Sequence, residues 1–170
     1  MSKIVPAIAI TVIVAFFSIM IIPNLMTARN RSRQKRTMAD MRTIATALEA
    51  RATDLNSYTI NPAGRDAHAG KRVEEFTKLH RESFEDLERA LVPTYITKLP
   101  RQDGWGVDFE IRTGDYDEKG QAMLYALRSY GSDRKPDSDI YELRTIHEFR
   151  EDIVFAQGNF FRYPEGSCVQ

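Results

Sequence analysis

Apolar residues run without a charge from Ile4 to Ile22, then give way at Pro23-Asn24 to a helical pattern in which apolar and charged positions alternate by face. A stretch of roughly 19 apolar residues matches the length that crosses a bilayer, so residues 4–22 are read as a membrane helix. Residues 1–26 would then be the transmembrane half of a longer helix. A cleaved secretory signal is the rival reading. Signal cores are shorter, roughly 7 to 15 residues, and end at small residues. This run ends instead in Ile21-Ile22-Pro23-Asn24-Leu25.

Beyond Pro23, Met38, Met41, Ile44, Ala45, Leu48, Ala52 and Leu55 recur at three- and four-residue spacing, the mark of one buried helical face. Residues 24–56 hold no glycine or proline, so one rod with a kink at Pro23 is expected, ending near Asn56-Ser57-Tyr58. Asn61-Pro62-Ala63-Gly64 marks a turn. The charged stretch 65–82, anchored only by Val73, Phe76 and Leu79, reads as a loop with a short helix. Ser83 followed by Asp86 predicts an N-cap for a second helix carrying Phe84, Leu87 and Leu91, which Pro93 ends.

The period changes after Gly104. Val107, Phe109 and Ile111 alternate, as do Met123, Tyr125 and Leu127 beyond a turn at Gly114 to Gly120. The runs Ile140 to Leu143 and Asp152 to Phe155 either add strands or pack as a tail. The predicted fold class is α+β: a long N-terminal helix, membrane-spanning in one half and amphipathic in the other, packed on a small antiparallel β-sheet. The globular domain is expected over residues 27–170, with a loop insertion at 62–82 and a C-terminal extension at 144–170.

Charge changes this picture in two ways. The 24 basic and 24 acidic residues cancel, which argues against a dedicated nucleic-acid binder. Yet Arg29, Arg31, Arg33, Lys35, Arg36 and Arg42 crowd the first turns after the apolar run, with only Lys3 before it. By the positive-inside rule they would hold the large domain in the cytoplasm. The other reading has them touching lipid phosphates or acidic neighbours from the far side. Cys168 is the only cysteine, so no intrachain disulfide forms and the redox compartment stays open.

Three pieces, in order, resemble the type IV pilin-like proteins, and most of all the major pseudopilin of type II secretion. Ile22-Pro23-Asn24-Leu25-Met26 is similar to their Val-Pro-Asn-Leu-Met stretch. Leu91 to Pro100, with Tyr95, Leu99 and Pro100, followed by Asp103-Gly104-Trp105-Gly106 and Phe109, resembles their Tyr-Leu-x-x-Leu-Pro and Asp-Pro-Trp-Gly patterns. Arg128-Ser129-Tyr130-Gly131-Ser132-Asp133 and Asp137-Ser138-Asp139-Ile140 resemble their Ser-Leu-Gly-x-Asp and Asp-x-Asp-Ile loop. Departures are specific. Pro6 stands where the family has its fifth-position glutamate, no leader glycine precedes the apolar run, and Gly104 replaces the proline before tryptophan.

The resemblance implies a structural calcium, with Asp133, Asp137 and Asp139 giving side-chain oxygens and Tyr130 and Ser132 giving carbonyls. Calcium accepts six to eight oxygens at irregular geometry, and three aspartates beside glycine and serine suit it. A solvated acidic turn is the plainer reading. Asp115 to Gly120 matches half an EF-hand loop, but Ala126 stands where the bidentate glutamate is needed, so a hairpin turn is expected. His68, His80 and His147 fall in no catalytic or ligand spacing, and no phosphate-binding glycine loop is present, so no enzymatic role is expected. Trp105, Tyr95, Phe109 and Tyr125 read as core. Phe155, Phe160, Phe161 and Tyr163 either cover their own sheet or dock on a neighbouring subunit.

The family resemblance implies a structural subunit of a pilus or pseudopilus filament. It would be anchored in the inner membrane with a periplasmic or extracellular domain before assembly, and would associate with copies of itself, related pilin-like subunits, the inner-membrane assembly platform and the lipid bilayer. The alternative is a single-pass membrane adaptor or receptor with a cytoplasmic protein-binding domain, which the basic cluster favours.

Overall fold

The computed structural model describes residues 4–61 and 69–165, with side chains from Ile22 onward. Helix α1 spans Ile4–Leu55 and contains Pro23. Residue contacts divide the chain after Ser32 into a helical unit and a globular unit that starts at Arg33. The expected membrane stretch 4–22 falls, but for Ile22, outside the residues whose side chains are described. Among the described residues no helix is long and apolar enough to cross a membrane. The membrane-spanning half of the predicted architecture is thereby corrected. The physical reason lies in the described part of α1, where Arg29, Arg31, Arg33, Lys35 and Arg36 break the apolar pattern between residues 29 and 36.

Within the globular unit α1 buries the stripe that its periodicity predicts. Met38, Met41, Ile44, Ala45 and Leu48 are all buried, joined by Thr37 and Ala47. Burying each of the larger side chains contributes about 1.5–3 kcal/mol. The stripe stops earlier than the pattern does, because Leu55 is half exposed. Asn56, at φ +54°, takes the left-handed conformation that ends many helices.

The sheet has six strands: β1 (His80–Arg81), β2 (Glu110–Tyr116), β3 (Ala122–Ser129), β4 (Arg144–Ile146), β5 (Ile153–Ala156) and β6 (Asn159–Pro164), in the order β1-β2-β3-β5-β6-β4. Helix α2 (Phe84–Leu91) follows β1, and Ser83 caps it by accepting from the Asp86 N–H at 3.1 Å, as expected. The sheet is mixed rather than antiparallel, because β4 and β6 run parallel. A turn at Gln157 and Gly158, both at positive φ, reverses the chain between β5 and β6 and sends β6 back beside β4. Residues 144–165 therefore build half of the sheet.

Both faces of the sheet are covered. Ile111, Tyr125, Leu127, Ile153, Phe155 and Phe160 pack in one cluster with the α1 stripe. Phe76 and Leu79 cluster with Leu124, Ala126, Tyr141 and Val154 on the other face. The described part of the 62–82 insertion is thus a lid over the second face, its 3₁₀ helix Val73–Lys78 leading into β1. Residues 62–68, which include most of the predicted Asn61 to Gly64 turn and His68, lie outside the described residues, as does Cys168. Trp105, Phe109 and Tyr125 are core as predicted, and Tyr95 is half-buried with its hydroxyl on Asp54. Phe155 and Phe160 meet edge to face at 4.7 Å inside their own domain, and Arg42 of α1 lies over Phe160 at 5.0 Å.

Gly104, which stands where the resembled family has proline, lies directly on the α1 backbone. Its N–H donates to the Thr37 hydroxyl at 2.9 Å, and that hydroxyl donates to the Arg33 carbonyl at 3.0 Å. A Cβ at position 104 would sit 2.3 Å from the Arg33 oxygen. Proline would add that carbon and remove the N–H that Thr37 receives. Gly104→Ala is expected to lower stability by about 1–3 kcal/mol through this overlap, read as a lower midpoint in urea unfolding. An unchanged midpoint would show that the loop stands off the helix.

Candidate functional site

Strand β3 places Arg128 opposite Glu110 of β2 in register, on the sheet face away from α1. A charged residue inside a strand of core residues is stable there only if its charge is paired and hydrogen-bonded. Arg128 meets that condition. Its Nε and Nη2 donate to Glu110 Oε2 at 3.0 and 2.5 Å, and its Nη1 donates to the Tyr141 hydroxyl at 2.8 Å. The guanidinium also lies over the Phe76 and Tyr130 rings at 4.6 and 4.9 Å. Glu110 receives the Tyr130 hydroxyl at 2.6 Å and Arg112 at 2.6 Å. Burial alone would raise the Glu110 pKa, but the bonds from Tyr130 and Arg128 outweigh it and hold the carboxyl below its ordinary value.

A second guanidinium sits nearby on β6. Arg162, almost fully buried, has Nη2 at 3.2 Å from Asp137 and 3.1 Å from Glu151. Glu151 also accepts the N–H groups of His147 and Glu148 and pairs with Arg144 at 2.6 Å. Asp137 and Asp152 exchange backbone bonds: the Asp137 N–H donates to the Asp152 carboxylate at 3.0 Å and the Asp152 N–H to the Asp137 carboxylate at 2.8 Å. The Tyr141 hydroxyl donates to the same Asp152 oxygen, joining the two guanidinium groups into one network.

Gly131 brings the two chain segments together. It sits at φ +66° in the 3₁₀ turn Gly131–Asp133, and a Cβ there would lie within 2.8 Å of the carbonyl oxygens of Phe149, Arg150 and Glu151. The Ser132 N–H donates to the Phe149 carbonyl at 2.8 Å. Between these segments opens a cleft of about 920 Å³, lined by Asp133, Asp137, Glu142, Arg144, Glu148 and Arg162 among others.

Of the five residues implied to hold calcium, Asp137 and Tyr130 join this network. Asp133 accepts the N–H of Lys135 at 3.1 Å, closing its own turn. Asp137 is engaged by Arg162 and Asp152. Asp139 is exposed, the Tyr130 side chain is turned to Glu110, and Ser132 is fixed through its N–H to Phe149. Among the described residues no three His, Cys, Asp or Glu side chains are grouped to hold a metal ion. The half EF-hand at Asp117 is the expected hairpin turn, its carboxylate accepting the N–H groups of Lys119 and Gln121.

Arg128, Glu110, Arg162, Glu151 and Asp152 were missed as site residues in the sequence. The only local signal is a charge at 110, between Phe109 and Ile111, and another at 128, after the apolar run Met123 to Leu127.

Burial pushes the Asp152 carboxyl up to about 6, against the opposing hydrogen bond from Tyr141. An acid with a raised native pKa binds a proton more tightly folded than unfolded. Its contribution is therefore complete below about pH 3.8 and is lost as pH rises through about 6. Asp152→Asn, which keeps an oxygen for Tyr141, is expected to remove this decline from a plot of melting temperature against pH between 4 and 6. A decline of the same size in the variant would assign it to another group.

In comparisons with known proteins, no family model, curated protein or solved structure matches the chain.

Proposed function

We propose that the chain is a structural subunit of a pilus- or pseudopilus-type filament, in which copies of α1 pack against one another and the globular unit faces outward. The observation that carries the reading is the division of labour along α1. From Thr37 to Leu48 the helix buries a stripe within its own domain, whereas Ile22, Leu25 and Met26, in the helical unit, leave more than half of their surface exposed. Apolar side chains presented in this way are driven to associate by about 25 cal/mol per Å² of area removed from water. Packing between copies related by a screw operation does not close, so it yields filaments. The order of the Pro23-Asn24-Leu25, Trp105-Gly106 and Asp137 to Ile140 motifs supports the same family resemblance. The site around Arg128 and Arg162 then serves as a rigid brace for the loops on the outer surface, and no catalytic role is assigned to it.

Cross-linking in cells tests this. In a Cys168→Ser background, cysteine at Leu25 or Met26 is expected to give a ladder of oxidised oligomers. Monomers alone, from a chain that accumulates normally, would remove the reading and favour a single-copy adaptor.

A further inference from the structure

We propose that the cation closing the Asp133 to Asp139 loop is the guanidinium of Arg162, so that the loop holding calcium in the resembled proteins is closed here by a side chain of the C-terminal strand. Four observations point the same way. Asp137, the central aspartate of the loop, has its carboxylate already held by Arg162 at 3.2 Å and by the Asp152 N–H at 2.8 Å. Glu151 accepts from the same Nη2 at 3.1 Å. The Arg162 side chain is 3% exposed, so its charge is compensated by these carboxylates rather than by water. Asp133 is committed to its own turn, and the intervening Arg134 turns back to donate to the Trp105 carbonyl at 3.1 Å.

Calcium requires six to eight oxygens around one point, and like charges repel strongly where water is excluded. A divalent ion at Asp137 would stand beside Arg162 and would have to displace it. The arrangement also gives the C-terminal extension a role. Residues 144–165 add three strands, and with them Arg144, Glu151 and Arg162, the residues that hold the loop in place. The proposal concerns this loop alone and stands whether or not the chain forms filaments.

The test uses the full chain. Its melting temperature is measured in millimolar calcium and in chelator, alongside a calorimetric titration with calcium. The expected result is one midpoint in both conditions and no saturable binding heat. A midpoint lowered by chelator, or a saturating calcium isotherm, would overturn the proposal. Arg162→Lys keeps the charge but loses the planar guanidinium that holds its Nη2 between Asp137 and Glu151. It is expected to lower the midpoint by roughly 3 °C, in calcium and chelator alike. An unaltered midpoint in that variant would remove Arg162 from the role.

Discussion

Arg128→Ala is expected to lower the free energy of unfolding by about 3–5 kcal/mol, because it strips the more deeply buried of two guanidinium partners from a carboxylate with almost no access to water. Glu110 is only 2% exposed, and Arg128 supplies two of its hydrogen bonds through Nε and Nη2. The truncation also removes the donor to Tyr141 and empties the space over the Phe76 ring. The Glu110 carboxyl, now held below its ordinary value, would move up. An acid with a depressed native pKa stabilises the fold at neutral pH and loses that contribution as pH falls. The variant should therefore show less acid-dependent loss than the parent, on a lower baseline. Replacing both partners, as Glu110→Gln with Arg128→Met, should recover part of the loss, since the buried pair goes as a unit and only the partly exposed Arg112 loses its carboxylate. Urea unfolding of the two single variants and the double variant completes the cycle. A single-variant loss below about 1 kcal/mol would mean that the pair is solvated, as exposed pairs are.

Gly131→Ala is the second large effect, at about 2–4 kcal/mol. Two costs combine. The left-handed backbone at φ +66° costs an alanine roughly 1 kcal/mol. The added carbon would also meet three carbonyl oxygens of Phe149, Arg150 and Glu151, none of which is a flexible side chain that can swing away. Overpacking of this kind costs typically 1–3 kcal/mol. Because the same residues frame the cleft, the variant should also loosen the loop over Asp133 to Asp139, read as faster amide exchange at Ser132 and Asp137, whose N–H groups are bonded across the gap. A drop in stability without faster exchange there would place the strain elsewhere.

The α1 stripe was legible because a helix repeats its environment every three to four residues, and Met38, Met41, Ile44, Ala45 and Leu48 obey that repeat. The cap at Ser83 was legible because capping depends on residues three apart. The pattern overshot at Leu55, because periodicity marks a face without saying how far its cover extends. The parallel pairing of β4 with β6 leaves no local trace, since strand direction is set by connections between distant segments. The same holds for the site. Alternation marks which positions of a strand share a face, but it does not say that the second face will also be covered. The charge at position 128 therefore gives no sign in sequence that Phe76 and Tyr141 close over it. Gly104 marked a departure in sequence, and only the approach to the Arg33 carbonyl explains it.

The central claim is assembly through α1. The most direct measurement is electron cryomicroscopy of the concentrated full chain without detergent. The account predicts helical filaments with α1 at the axis and the sheet outside. Closed oligomers, or dispersed monomers under conditions where the globular unit is folded, would contradict it.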